Sequence, residues 1–456
     1  MSTQTSRPMA AHFKASIVLG IPLIGAQLAQ MSINVVDTIM LGWLGIEELA
    51  GGTLAFQLFF VLMIIGMGIA AALMPIISGA VGRGDERDVR RAARMGLWAM
   101  LMMAILFMIP LWFTEQILLA LGQQADLADI AGRYMRIAQW AMIPALLIVA
   151  LRTFLVSLEQ PKIVFWVTVF MTAFNGVLNY ALIFGNLGAP RLEVEGAAWA
   201  TLIANVTAFV IVAAYVYFSK ATRHYQLFAR LWVSDWETFR KIFKLGIPIS
   251  LTILAEVGLF SAASVLIGWL GTIPLAAHGI VLQIASLAFM IPLGLSNVAT
   301  IRVGNAVGRK DNQAVGDATM AAMWLALGFS VISALVMVLI PETLIRLFLD
   351  QNNPQLGQVL VYAAPLLFMA ALFQVGDALQ AIGAGALRGL SDTKIPLLYA
   401  AISYWPIGVV AAYILAFPLG YGGAGVWAGL AIGLAVAAVL LVSRFLRREK
   451  LGLLPQ

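Results

Sequence analysis

Apolar residues run along this chain in twelve long stretches, near 16–42, 49–80, 95–114, 134–157, 163–187, 197–218, 244–270, 276–301, 318–340, 356–386, 395–418 and 424–443. Each reaches the length of about 20 residues that a helix needs to cross a hydrocarbon core. The pattern predicts an all-α integral membrane protein of twelve transmembrane helices. Several stretches exceed the span length, which implies tilt or kinks. Pro22, Pro75, Pro144, Pro248, Pro292, Pro365 and Pro406 lie inside them. Proline removes a backbone hydrogen bond, and membrane helices tolerate this where neighbours resatisfy the carbonyl. The first stretch has no short apolar core followed by a small-residue cleavage site, so a retained first span is expected.

The polar segments between the stretches orient the helices. With the N-terminus placed inside, Lys and Arg divide as 24 inside and four outside, the outer ones being Arg133, Arg136, Arg191 and Arg346. This asymmetry is the positive-inside signature, and it puts both termini on the cytoplasmic side. A missed span would have scrambled every later loop.

The pattern also repeats. LGIP at 19–22 returns at 245–248, LGWLG at 41–45 as IGWLG at 267–271, Gln57 as Gln283, AVGR at 80–83 as AVGR at 306–309, and Trp98 as Trp324. The offset is 226 throughout. Two pseudo-symmetric six-helix lobes follow: 1–219, a cytoplasmic inter-lobe linker at 220–240, and 241–456. Because six is even, both lobes enter the membrane in the same sense, one of the repeat schemes of transporters. The linker region carries Leu227, Phe228, Leu231 and Trp232 among Lys and Arg. It reads as an amphipathic helix on the cytoplasmic surface, with a solvated linker as the other reading.

Composition agrees. Sixty-two percent of residues are apolar and 11% charged, far from the balance of a soluble domain. There is no cysteine, which removes thiolate chemistry and Cys-ligated zinc. His12, His224 and His278 have no metal-ligand spacing. The net charge of +6 fits basic cytoplasmic loops and gives no reason to expect nucleic acid.

Three acids break the apolar pattern: Asp37, Glu256 and Asp377. An ionised carboxylate at mid-membrane costs roughly 2.5–3.5 kcal/mol on insertion scales. No Lys or Arg stands near them in sequence. A bound proton, a metal cation or a water-filled cavity would compensate them; protonated carboxyls bonding between helices are the blander alternative. The repeat pairs Glu256 with Gln30 and Asp37 with Ala263, so the acids are not part of the shared scaffold. Asn175 and Asn179 share one face of the fifth span. With Asp37 and Thr201 they could supply oxygen ligands to a small hard cation such as sodium, or simply bond across helices. Gln30, Asn34, Gln283 and Gln374 are further polar side chains that would line a cavity or tie helices together.

These residues carry a resemblance. LGIPLIGAQLAQMSINVVDTIMLGWLG at 19–45, AVGRGD at 80–85, FNGVLNY at 174–180, GAAWATLIAN at 196–205, LAEVG at 254–258, AVGRKD at 306–311 and GALRGLSDTK at 385–394 resemble the multidrug and toxic compound extrusion (MATE) family, in its NorM-like bacterial branch. The resemblance implies two six-helix lobes forming a V, and inner-membrane export of drugs and amphipathic organic cations in exchange for inward sodium or protons. It implies that Asp37, Glu256 and Asp377 are functional, and that Asn175, Asn179 and Thr201 form a cation-binding cluster. A monomer without cofactor or catalytic residue is expected, its partners being small cationic drugs and the bilayer. The rival readings are a lipid-linked saccharide flippase, which would favour a cavity rich in Arg and Lys, and a channel. An intramembrane enzyme would need a His cluster, a Ser–His pair or a metal motif.

Overall fold

The computed structural model describes residues 9–348 and 355–454; Arg7 of the orientation count lies outside them. Every regular element among the described residues is helical. Twelve helices there are long and apolar enough to span a bilayer. They are α1 (Met9–Leu44), α2 (Glu47–Arg83), α3 (Glu86–Trp112), α4 (Ala125–Ser157), α5 (Pro161–Phe184), α6 (Glu193–Phe218), α7 (Trp236–Gly268), α8 (Thr272–Gly308), α9 (Asn312–Leu339), α10 (Leu356–Gly389), α11 (Lys394–Ala416) and α12 (Gly422–Leu446). The all-α, twelve-span architecture expected from hydropathy is the one observed.

Proline marks where three of them deform. A proline at position i removes the bond to the carbonyl of i−4 and its ring presses on that carbonyl. α2 breaks at Ala72, just before Pro75; α4 tightens to a 3-10 turn at Gln139–Ala141, before Pro144; α11 widens to a π-helix at Ser403–Val409, around Pro406. Pro22, Pro248, Pro292 and Pro365 sit inside unbroken α-helices.

The chain divides into two compact units. The N-unit holds Gly25–Ser250; the C-unit holds the described residues up to Ile24 and from Leu251 onward. Both divisions cut a helix, α1 and α7, and they do so at positions 226 apart. The lobe boundaries expected at 219 and 241 thus fall inside the N-unit. Within the C-unit, the first half of α1 lies on α8: a Cβ at Gly294 would stand 2.6 Å from Ile24 Cγ1. Within the N-unit, the first half of α7 lies on α2: a Cβ at Gly68 would stand 2.5 Å from Ser250 Cα. Residues 68 and 294, and 24 and 250, obey the same 226 offset. Small residues let helices approach closely in lipid, where packing rather than hydrophobicity holds them together. Gly68→Val should lower the thermal midpoint of the purified protein, by about 1–3 kcal/mol of overpacking, because backbone cannot yield as a side chain can. A midpoint within error of the wild type would contradict this contact.

The linker is not the amphipathic helix expected from its apolar residues. Up to residue 235, where α7 takes over, it consists of turns and irregular chain with one 3-10 segment, Arg223–Tyr225. Its apolar residues act individually: Leu227 is buried, Trp232 stays exposed with its ring 5.7 Å from that of Trp98, and Trp98 Nε1 donates to Leu231 O at 2.8 Å. Arg94 donates to Arg230 O at 3.1 Å. At its end, Asp235 accepts from the Thr238 amide at 3.2 Å, the Thr238 hydroxyl at 2.7 Å and Arg91 Nε at 2.8 Å, which caps α7. Burial alone would raise the Asp235 carboxyl, but the Thr238 bonds and Arg91 outweigh it and hold it below the ordinary 3.8. A depressed folded value stabilises above the unfolded value and is lost as pH falls through the folded one. Asp235→Ala should therefore cost about 1–2 kcal/mol at neutral pH, read as a lower thermal midpoint. That difference should shrink below about pH 4, where the wild type loses the same contribution.

The C-unit core centres on Trp427, Tyr404, Leu366 and Phe373, all buried. His278 belongs to it. Its Nδ1 accepts from Trp427 Nε1 at 3.2 Å and its Nε2 meets Ser264 Oγ at 2.9 Å. Because the Ser264 hydroxyl donates to Phe260 O, His278 is the neutral tautomer with its proton on Nε2, a structural histidine.

Candidate functional site

The N-unit gathers the predicted oxygen cluster. Asp37 on α1 accepts a hydrogen bond from Asn179 Nδ2 at 2.5 Å, and the same nitrogen donates to Asn175 Oδ1 at 3.3 Å. The two asparagines are one turn apart on α5 and both are buried, so one helix face meets one carboxylate. Asn179 Oδ1 is buried without a hydrogen-bond partner. Thr201 on α6 joins through a residue the sequence reading missed: Tyr134 on α4 is buried, hydrogen-bonded to the Thr201 side chain and within the field of Asp37. Four oxygen-bearing side chains from three helices thus gather around one acid on a fourth. Carboxylate, amide and hydroxyl oxygens are the donors of hard cations, and a carboxylate in this setting can equally take a proton.

Asn34 lies on α1 one turn before Asp37 and is half-buried. Gln30 does not join the Asp37 cluster. It is exposed, and its Oε1 accepts from Arg152 Nη1 at 3.3 Å.

The C-unit holds the other two acids. Glu256 on α7 is half-buried and Asp377 on α10 is buried. Asp377 lies in the field of Glu256, and Glu256 in that of Arg388. The absence of a neighbouring basic residue, expected from sequence, is therefore corrected: Arg388 and Arg152 were counted as loop charges, but both are half-buried members of spans. Arg302, another of the inner basic residues, is likewise turned onto buried groups. It donates to His12 O at 2.8 Å and Ser16 Oγ at 2.7 Å and contacts His12 Nδ1 at 2.8 Å.

Around Asp377 one face of α10 is polar. Gln374 donates to Ala285 O at 3.2 Å, and Gln380 donates to the Tyr404 hydroxyl. Gln374 Oε1, Asp377 Oδ1, Gln380 Oε1 and Ser403 Oγ are buried without partners. Ser403 and Tyr404 begin the π-helix of α11, and Tyr404 lies in the fields of both acids. Irregular helix at membrane depth is tolerated where it lines a functional cavity. Gln283 on α8 is half-buried. With Arg388 counted, the site around Asp377 sets two acids against one base. Two carboxylates in one another's field in a low-dielectric core cannot both stay ionised cheaply, so the pair favours holding an extra positive charge.

The chain matches the MatE family model twice, over residues 22–181 and 248–414, with starts 226 apart. It is 47% identical over 444 residues to the probable multidrug resistance protein NorM of Rhizobium meliloti, covering 97% of this chain and 95% of the relative. It is 46% identical to the protein of the same name from Agrobacterium fabrum, covering 95% and 94%. A crystal structure of a MATE transporter from Vibrio cholerae superposes with a TM-score of 0.89 at 18% identity, covering 97% of this chain and 98% of that one, a likeness of fold. With both halves matched and NorM relatives aligned nearly end to end, the chain belongs to the MATE family, in its NorM-like branch, a family of transporters and not of enzymes.

Proposed function

We propose that this protein is a secondary antiporter of the bacterial inner membrane, with both termini cytoplasmic, which exports cationic amphipathic drugs in exchange for inward sodium or protons. The observation that carries the reading is the pair of intramembrane acid sites, each with an acceptor oxygen left unpartnered: Asn179 Oδ1 beside Asp37, and Asp377 Oδ1 beside Glu256. The multidrug resistance names of the relatives support the class of substrate.

The coupling follows from charge. When the acids face outside they take the coupling cation and give up the drug. When they face inside they release that cation and attract a cationic drug. Competition for one negative charge couples the two fluxes, and the membrane potential contributes about 2.3 kcal/mol per charge per 100 mV. The protein acts as a monomer without cofactor, its mobile cation being cargo. The oxygen-rich Asp37 cluster suits sodium, and the bare carboxyls suit protons.

The test is export of a fluorescent organic cation from proteoliposomes, first with a sodium gradient alone and then with a pH gradient alone. Export driven by at least one of them is expected. Flux indifferent to either gradient would make the protein a channel, and no dye flux with accelerated translocation of lipid-linked saccharide would make it a flippase.

A further inference from the structure

Arg152 occupies an unusual electrostatic position. It belongs to α4, five residues before that helix ends at Ser157. Helical side chains lean towards the N-terminal turns of their own helix, so Arg152 leans away from the end and into the span. There Nη1 donates to Gln30 Oε1 on α1 at 3.3 Å and Nη2 donates to Thr168 Oγ1 on α5. Thr172, one turn on, donates to Ala29 O at 3.1 Å and seats α5 against α1. The arrangement is held from three helices.

Both partners are neutral, and among the described residues no charged side chain acts on Arg152. Other arginines differ: Arg388 lies in the field of Glu256, Arg444 pairs with Asp392 at 2.6 Å and Arg91 with Asp235 at 2.8 Å. A guanidinium has five donors, and the two bonds leave others free. Arg152 is not sealed, since it is half-buried and Gln30 is exposed. The internal repeat sharpens the contrast, because Gln30 occupies the place that Glu256 holds in the other half. The C half sets an acid against its arginine; the N half leaves the arginine without one. Along α1, Gln30 and Asp37 are seven residues apart, hence on one face and about 10 Å from each other.

We propose that Arg152, with Gln30 and Thr168, binds an anionic group of the transported molecule, a carboxylate above all. In a zwitterion whose amine reaches Asp37, Arg152 is then the residue that reads the carboxylate. Planar bidentate recognition of carboxylates is what a guanidinium does best. The inference rests on the exporter reading above. A lipid headgroup phosphate offers the same charge, and the experiment separates the two.

The experiment compares a rhodamine free acid, a zwitterion, with its ethyl ester, a cation, in ion-driven export from proteoliposomes of zwitterionic lipid. The wild type should move both. Arg152→Gln should lower the ratio of acid to ester initial rates about tenfold or more, and Arg152→Lys should keep part of it. Gln30→Glu should lower the ratio too, because it supplies Arg152 with the acid it lacks while leaving the guanidinium in place. An unchanged ratio in both Arg152→Gln and Gln30→Glu would overturn the proposal. So would a ratio that collapses in the wild type when anionic phospholipid is added, which would assign Arg152 to a headgroup. A wild type that moves neither dye would refute the exporter reading itself, whereas a wild type that moves only the ester would refute this inference alone.

Discussion

Asp37→Asn should abolish ion-driven drug export, reducing initial rates in proteoliposomes about tenfold or more, while the protein still folds and inserts. The substitution keeps the shape and the acceptor oxygen that meets Asn179 Nδ2 at 2.5 Å. It removes the charge. A neutral amide discriminates weakly between an occupied and an empty state, and a ligand shifts an equilibrium only by its differential affinity for the two states; each 1.4 kcal/mol of lost difference is about tenfold. Asn175→Ala and Tyr134→Phe should give intermediate losses, because each removes one oxygen and leaves the acid. Wild-type rates in Asp37→Asn would mean that the N-unit cluster is only a packing device.

In the C-unit the two acids should behave differently in stability and alike in transport. Glu256→Gln leaves Arg388 without its acid, and an unpaired charged group in the span costs about 1–3 kcal/mol. Asp377→Asn leaves the attraction between Glu256 and Arg388 in place and removes the like charge that Asp377 feels. Glu256→Gln should therefore lower the thermal midpoint in detergent, while Asp377→Asn should leave it unchanged or raise it. Both remove the surplus negative charge, so both should lose coupled export. The double variant should be no worse in transport than either single one, the non-additivity expected of groups that act as one unit. Additive losses, or a stable Glu256→Gln, would show that the two acids work separately and that Arg388 answers to neither.

Much of this is legible in the sequence. Twelve spans follow from the length of the apolar runs, and the 226 offset foretold a symmetry that the structure repeats down to the 24/250 divisions of α1 and α7. Asp37, Asn175 and Asn179 were legible because polar side chains in a hydrocarbon pattern are expensive and stand out. Tyr134 was not, because a tyrosine in an apolar run reads as an ordinary amphipathic aromatic. Arg152 and Arg388 were counted as loop charges because they lie near helix ends, and sequence does not say which way a side chain leans. The linker deceived for a related reason: Leu227 and Trp232 do bury or stack, but one at a time on turns. Nor does hydropathy name a partner, so the packing of α1's first half on α8 left no trace in the pattern.

The central claim is that carboxylates within the spans hold a mobile cation that the drug displaces. Coupling between two ligands is reciprocal, so the direct measurement runs the exchange backwards. Proteoliposomes loaded with an organic cation, clamped at zero voltage with equal sodium and pH on both sides, are diluted into drug-free buffer. Drug leaving down its own gradient should pull sodium or protons inward against none of theirs, and Asp37→Asn should abolish that movement. Drug efflux with no countermovement of either ion would contradict the account.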